Sequence, residues 1–308
     1  MHKLILFSAF FLVFSSFSAV KGENEIAHDY ITSGYFQLIY QADIAYLEGD
    51  YDLAFALLQE AERRMPLTNQ FFETDLYIWL LIKNGQYDRA IYYMEYLAVN
   101  YGRHPIVIQF RLDNNPDIRN RFVENNPNFF ETTLLEIWEK SKSFYTPERL
   151  ELIELLTEMT YHDQRVRTQP GISEQEFFEV DSINRIKFLE IVEKHGFPNE
   201  RLLGSRDCGL LFGINGMIIH FSDDLEIQEM LGRFVRMGKA PPHLYAVFVE
   251  HRMGRQRQQR VFGTAINITD DQIYDVENVD KRRLAIGMPT REQQRRRREL
   301  FNARRNEQ

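Results

Sequence analysis

The chain has 308 residues, 44% of them hydrophobic, and a formal net charge of −8 at pH 7. This length and apolar content are sufficient for a large buried core and favour two domains. The acidic balance argues against general nucleic-acid binding, so no nucleic-acid partner is expected. Cys208 is the only cysteine, which excludes an intrachain disulfide.

The N-terminus has the pattern of a secretory signal peptide. A basic Met1–Lys3 is followed by the apolar stretch Leu4–Phe14 and a serine-rich stretch that ends at Ala19. The apolar core is shorter than the roughly 20 residues that a spanning helix needs. We therefore expect residues 1–22 to hold a signal peptide that is cleaved after Ser18, Ala19 or Gly22 on export to the periplasm or the exterior, leaving no membrane span. No cysteine lies near the cleavage region, so a lipoprotein is excluded. A signal anchor is the alternative, because apolar residues continue to Val20.

Residues 23–103 show a helical pattern with a repeat of 36 residues. Gly49-Asp-Tyr51 in the first copy corresponds to Gly85-Gln-Tyr87 in the second, and each tripeptide is predicted to end one helix and begin the next. The alanine that follows, Ala54 or Ala90, allows two helices to approach closely. The pattern resembles the tetratricopeptide repeat, whose stacked hairpins imply a surface for a protein or peptide partner. A helical spacer or lid for the second half is the alternative.

Residues 104–145 are predicted to be a connector of short helices. The Asn-Pro pairs that end at Pro116 and Pro127 mark turns between them. At the other end of the chain, residues 292–308 form an Arg-rich tail. Its run Arg295–Arg298 is interpreted as the solvated end of a helix or as a disordered tail.

Residues 146–291 are predicted to form a second domain, of the α+β class, with about five helices and one β-hairpin. The hairpin strands are His243–His251 and Arg260–Ile268, which are rich in aromatic and β-branched residues. The whole chain is therefore predicted to be mainly α, with tetratricopeptide-like helical hairpins followed by this α+β domain. The predicted helix starts in the second domain are Thr146, Asp181, Asp207 and, as a capping pair with Glu226, Asp223.

Several short motifs between residues 159 and 289 resemble the domain of unknown function 6624, a family of bacterial domains. The matching positions are Asp163-Gln-x-x-Arg167, Asp181-x-x-Asn184, Gly196-Phe-Pro198, His220, Tyr245-Ala246, Phe262-Gly-Thr264 and Asp280-x-x-Arg283. The resemblance implies a shared fold and a pocket, with no assigned activity. Ile219, His251 and Ala265 depart from the family pattern at polar positions.

The candidate site residues are polar groups at the ends of apolar segments. His220, Glu250 and Asp163 are the candidate catalytic residues, because an imidazole beside carboxylates is suited to acid–base chemistry. A buried network of ion pairs and helix caps is the alternative. The candidate ligand-binding residues are Asp163, Arg167, Asn184, His220, Glu250, Arg252, Thr264 and Arg283.

Neither a metal site nor a cofactor is predicted. The remaining histidines lack the spacing of helical metal ligands, and no Gly-x-Gly-x-x-Gly phosphate loop is present. Two hypotheses follow. In the first, an exported binding module engages a protein or peptide through its helical repeats. In the second, a hydrolase-like or small-ligand pocket lies around His220, Glu250 and Arg283; whether the protein is an enzyme stays open.

Overall fold

The computed structural model describes residues 29–68, 72–204, 208–265 and 267–306. The predicted signal peptide lies outside these residues. Within them the fold is mainly helical, as predicted, and no β-strand forms.

The N-terminal half of the described chain consists of short helices joined by tight turns. They are α1 (Tyr35–Glu48), α2 (Tyr51–Arg64), α3 (Glu73–Lys83), α4 (Tyr87–Tyr101), α5 (Ile106–Asp113), α6 (Pro116–Asn125) and, after a π-helical turn at Phe129–Thr133, α7 (Leu134–Ser143). Gly49 adopts a φ of 87°, and the Asp50 side chain then caps α2 by accepting from the N–H of Leu53 at 3.0 Å. The predicted junctions at 49–51 and 85–87 are therefore confirmed as helix ends, while the tetratricopeptide assignment itself stays a prediction.

The C-terminal half begins with two long helices. Its elements are α8 (Pro147–Thr168), α9 (Glu174–His195), α10 (Glu200–Leu203), α11 (Cys208–His220), α12 (Leu225–Arg236), α13 (Pro242–Arg255), 3₁₀ turns at Asp270–Gln272 and Val276–Asn278, α14 (Val279–Ala285) and α15 (Arg291–Asn306). The predicted start of α8 is confirmed, since Thr146 accepts from the N–H of Arg149 at 3.4 Å.

The predicted β-hairpin is wrong. Residues 243–251 lie inside α13, where Leu244, Tyr245, Phe248 and Val249 are buried at helical spacing against α11 and α12. The second predicted strand is an irregular segment whose described part makes one isolated bridge, between Arg260 and Ile273. Pro242 at the first helical position favours the helix, and a nine-residue apolar run does not by itself distinguish helix from strand.

Two predicted helix caps are also wrong. Asp181 lies within α9, whose N-cap is Ser173, because the Ser173 hydroxyl accepts from the N–H of Glu176 at 3.1 Å. Asp224 rather than Asp223 caps α12, accepting from the N–H groups of Glu226 and Ile227. In each case a different residue has the capping geometry. The Asp181 carboxylate is therefore available for its ion pair with Arg167.

The two halves share one continuous hydrophobic core. Three aromatic rings each pack against glycines with positive φ. Tyr30 packs against Gly238, Phe36 against Gly287, and Tyr145 against both Gly102 and Gly204. A Cβ at Gly238 would lie 2.7 Å from the Tyr30 ring, so the absence of a side chain is what permits this contact.

The Arg-rich C-terminal segment is a helix packed against α1, and not a disordered tail. Arg296 forms an ion pair with Glu48 at 3.0 Å, and Arg297 forms one with Asp43. Arg304 donates to the carbonyl of Tyr46 at 2.8 Å. These arginines therefore neutralise the acidic face of the first helix.

Candidate functional site

Asp163 and His220 meet where α8 and the end of α11 lie side by side. His220 Nδ1 is 2.9 Å from Asp163 Oδ1, and the Asp163 side chain is completely buried whereas that of His220 is 20% exposed. Gln164 donates to the other Asp163 oxygen at 2.8 Å. The structure thus brings together two of the three predicted catalytic residues.

Arg167 completes this cluster, one turn after Asp163 on α8. Its Nε–H donates to His220 Nε2 at 3.1 Å, its Nη1 lies 2.8 Å from Asp163 Oδ1, and its Nη2 donates to Asp181 at 2.7 Å. The guanidinium also lies over the ring of Phe177, 4.5 Å from its centre. Every edge of the guanidinium is therefore occupied.

The hydrogen bond from Arg167 determines the tautomer of His220. With Nε2 accepting from Arg167, the hydrogen-bond geometry places a ring proton on Nδ1, which donates to Asp163. A general base would need Nε2 free to receive a proton from a substrate. In this arrangement the cluster joins three helices, α8, α9 and α11, and leaves neither ring nitrogen of His220 open to a substrate.

Ser222 and His251 form a second polar pair beside the cluster. The Ser222 hydroxyl lies 2.9 Å from His251 Nδ1, and the rings of His220 and His251 are 6.2 Å apart. Burial lowers the pKa of His251, and the neighbouring Arg255 lowers it further. Ser222 is completely buried, so it is not accessible as a nucleophile.

Glu250 lies elsewhere, as the anchor of the loop 262–264. One carboxylate oxygen accepts from the N–H groups of Phe262 and Gly263, both at 2.6 Å. The other accepts from the N–H of Thr264 at 2.9 Å and from its hydroxyl. Glu250 is only 3% exposed, so this carboxylate is a structural acceptor and not a candidate base.

Arg283 is completely buried on the far side of the same loop. It donates to the carbonyls of Pro289 at 2.7 Å and Phe262 at 2.8 Å, and to the side chain of Gln294. Burial lowers its pKa, with Asp280 as the largest opposing influence. Arg283 therefore joins backbone segments of the fold and has no donor edge open to a ligand.

The two other candidates are also internal. Asn184 is buried and donates to the carbonyl of Met159 at 3.1 Å, which joins α9 to α8. Arg252 has a buried Nη1 without a hydrogen-bond partner among the described residues. The eight predicted residues therefore separate into a cluster around His220 and another around Glu250, with Asn184 and Arg252 apart, and none of them lines the cleft between the two halves.

That cleft, of about 380 Å³, is the feature that the sequence did not reveal. The N-terminal half contributes Tyr30, Tyr96 and Tyr101, together with the loop 66–68. The C-terminal half contributes a mixture of apolar and charged side chains. Among these are Phe197, Arg201, Leu202, Leu211, Asn215 and Lys239. The only sequence signals were the tyrosine-rich stretch of α4 and the helix break at Gly196-Phe-Pro198.

Two tyrosines of the cleft, Tyr30 and Tyr101, have raised pKa values and are neutral hydrogen-bonding groups. Burial raises the pKa of Tyr30 to about 12, with Tyr96 and Glu73 raising it and Arg201 lowering it. Burial likewise raises the pKa of Tyr101. Tyr30 donates to the carbonyl of Pro66 at 2.9 Å. The cleft thus combines ring surfaces with hydroxyl groups.

Three further observations bear on the class of protein. In the described ranges, no helix has the length and apolar character needed to cross a membrane. In the same ranges, no three or more His, Cys, Asp or Glu side chains are grouped so as to hold a metal ion. Comparisons with models of known protein families, with curated proteins and with solved structures find no match to this chain.

Proposed function

We propose that this protein is an exported binding module that takes up a segment of a partner protein in the cleft between its two halves. The observation that supports this proposal most is the cleft itself. Its aromatic wall comes from the helical N-terminal half, and its other wall, with both apolar and charged side chains, comes from the C-terminal half. Its volume of about 380 Å³ lies within the usual range of ligand sites.

The lining of the cleft suits a peptide. Tyrosine provides a large rigid contact area and a hydroxyl group, which is why it is common in protein-binding surfaces. The rings of Tyr30, Tyr96 and Tyr101 can contact apolar side chains of a peptide. Asn215 and Arg201, which line the same cleft, can form hydrogen bonds with its backbone. The helical repeats contribute α4, the wall that carries two of these tyrosines.

The hydrolase-like alternative has less support. His220 has both ring nitrogens occupied, and Glu250 accepts four hydrogen bonds. Ser222 is the one hydroxyl paired with a histidine there, and it is completely buried. A hydrolytic reaction at this cluster would first require several of these bonds to break.

The test is a peptide-binding selection against the mature protein, followed by affinity measurements on the enriched peptides. Asn215→Trp would fill the cleft from α11, whereas Asn120→Trp places the same ring on an exposed position of α6. Enriched peptides should bind the wild type and Asn120→Trp equally, and should bind Asn215→Trp at least about tenfold more weakly, or about 1.4 kcal/mol. Failure to enrich any peptide, or equal binding to all three proteins, would contradict the proposal.

A further inference from the structure

A row of tyrosines on α4 extends the cleft along the surface. Tyr92, Tyr93, Tyr96 and Tyr101 follow one another with ring-centre distances of 5.2, 6.2 and 5.9 Å. Tyr92 at the outer end is 60% exposed, whereas Tyr96 and Tyr101 line the cleft. At 1.5 Å per residue the row is about 13 Å long, which matches about four residues of an extended peptide.

The carboxylates beside this row are neutralised. Glu62 accepts from Tyr77, Tyr93 and, at 2.7 Å, from Arg89. Farther along α4, Glu95 forms an ion pair with Lys140. The row therefore presents no uncompensated negative charge from these two residues to a ligand.

The opposite wall at the cleft end of the row carries positive charge. Arg201 and Lys239 line the cleft, and no described carboxylate lies within ion-pairing distance of either. Arg201 lines the same cleft as Tyr30 and Tyr101; its positive charge lowers the pKa of both tyrosines, whereas the buried Glu73 raises it. Among the described residues of the lining, Glu200 is the one acidic residue. In a chain with a net charge of −8, this is a local reversal of sign.

We infer that the partner segment is an extended acidic peptide, with aromatic or large aliphatic side chains on the tyrosine row and an aspartate or glutamate beside Arg201 and Lys239. This inference rests on the proposed function and adds the chemistry of the ligand. The apolar contacts supply most of the affinity, while the charge pairing selects the peptide and speeds its association.

The geometry of the row favours a peptide over a glycan. Successive rings meet at interplanar angles of 83°, 74° and 57°, so they form no flat platform on which sugar rings could stack. The hydroxyl of Tyr93 is already bonded to Glu62. Amphipathic pockets between tilted rings fit separate side chains of a peptide.

The experiment measures fluorescence polarisation with three labelled eight-residue peptides. The first alternates phenylalanine and aspartate, the second has lysine in place of aspartate, and the third has alanine in place of phenylalanine. We expect the first to bind the wild-type protein at least about tenfold more tightly than the other two. Its affinity should fall with rising ionic strength, because Arg201 is exposed and Lys239 is partly exposed to the solvent.

Two sets of variants test the charged contacts and the aromatic contacts of the peptide separately. Arg201→Glu combined with Lys239→Glu should shift the preference towards the lysine peptide, whereas Lys281→Glu, an exposed cation outside the cleft, should leave it unchanged. Tyr92→Ala should weaken the phenylalanine-containing peptides about threefold or more. Because Tyr92 is exposed, this change is compatible with folding.

The outcomes separate the two proposals. Equal binding of the aspartate and lysine peptides, or displacement of the first peptide by a soluble oligosaccharide, overturns the inference about the ligand but leaves a binding cleft. Absence of binding by these peptides and by every peptide of a random library overturns the proposed function as well. Charge-selective binding that is indifferent to Arg201 and Lys239 also overturns the inference.

Discussion

Arg167 donates its Nε–H to Nε2 of His220 at 3.1 Å, while Asp163 accepts the proton on the opposite side of the ring at 2.9 Å. The histidine that is the most natural catalytic candidate in the sequence is therefore held between a donor and an acceptor. Its role in this arrangement is to join α8 to α11, and Arg167 extends the junction to Asp181 on α9.

Arg167→Ala should lower the free energy of unfolding by about 2–4 kcal/mol, measured by urea denaturation. The change leaves the completely buried Asp163 without its closest cation. The control is Arg165→Ala on the same helix. Its ion pair with Glu176 is about one third exposed on each side, so a loss below about 1 kcal/mol is expected. Similar small losses in both variants would show that the cluster does not brace the fold.

His220→Ala should destabilise the protein without changing peptide affinity. The side chain joins Asp163 to Arg167 and does not line the cleft. We expect a loss of about 1–3 kcal/mol, since two buried or half-buried partners lose a hydrogen bond. Binding titrations at a temperature where the variant is folded should match the wild type. A selective loss of binding with unchanged stability would instead place His220 in the functional site.

Glu250→Gln should destabilise the loop 262–264 by about 2–4 kcal/mol. A carboxylate accepts all four donors of this loop, whereas an amide offers one oxygen and turns an N–H₂ group towards the others. Glu154→Gln on the exposed side of α8 makes the same chemical change and should be neutral. Urea denaturation measures both. Equal stability of the two variants would show that the charge of Glu250 is dispensable.

Gly238→Ala should lower stability more than Gly171→Ala. Both residues have positive φ, 65° and 84°, so each substitution carries a backbone cost of about 1 kcal/mol. Only at Gly238 does the added Cβ meet a neighbour, the ring of Tyr30 at 2.7 Å, whereas nothing lies within 4 Å at Gly171. We expect a total of about 2–4 kcal/mol at Gly238, from thermal denaturation. Equal losses would mean that Tyr30 moves freely and that this contact between the halves is loose.

Stability should fall steeply as the pH rises from about 10 towards 12. Burial raises the pKa of Tyr30 to about 12, so the unfolded chain loses this proton first and binds fewer protons than the folded protein over that range. The shift corresponds to about 3 kcal/mol for this residue.

Tyr30→Phe tests this alkaline effect. At neutral pH it should be about 1 kcal/mol less stable, because the hydrogen bond to Pro66 is lost. Between about pH 10 and 12 its stability should fall less than that of the wild type. Tyr161→Phe, at a ring that is 63% exposed, is the control and should follow the wild-type profile. Parallel profiles for all three proteins would contradict the assignment to Tyr30.

Local chemistry accounts for the features that were predicted correctly. Helix ends at Gly49 and Gly85 follow from positive φ, which a residue without Cβ adopts at little cost. Asp163 and Arg167 are one helical turn apart in the sequence and form an ion pair across that turn. The motif positions also indicated that His220 belongs with them, although not what it does there.

The incorrect predictions concern segments whose local pattern fits two structures. The run from His243 to His251 has β-branched and aromatic residues, yet its buried positions repeat at helical spacing once α11 and α12 pack against it. Asp181 has the composition of a helix cap, but Ser173 lies earlier and performs that role. Glu250 has the side chain of a general base, but the loop 262–264 uses both of its carboxylate oxygens.

By itself, then, the sequence determined the helical class, the helix ends at residues 49–51 and 85–87 and the pairing of Asp163 with Arg167, because each depends on residues a few positions apart. The tertiary structure alone decided where the cleft lies and what lines it. Tyr30, Tyr101 and Lys239 are far apart in the chain, and burial of apolar surface between the two halves brings them together. The same burial places Asp163, Glu250 and Arg283 in networks of hydrogen bonds and ion pairs, because a buried charge requires partners within the protein.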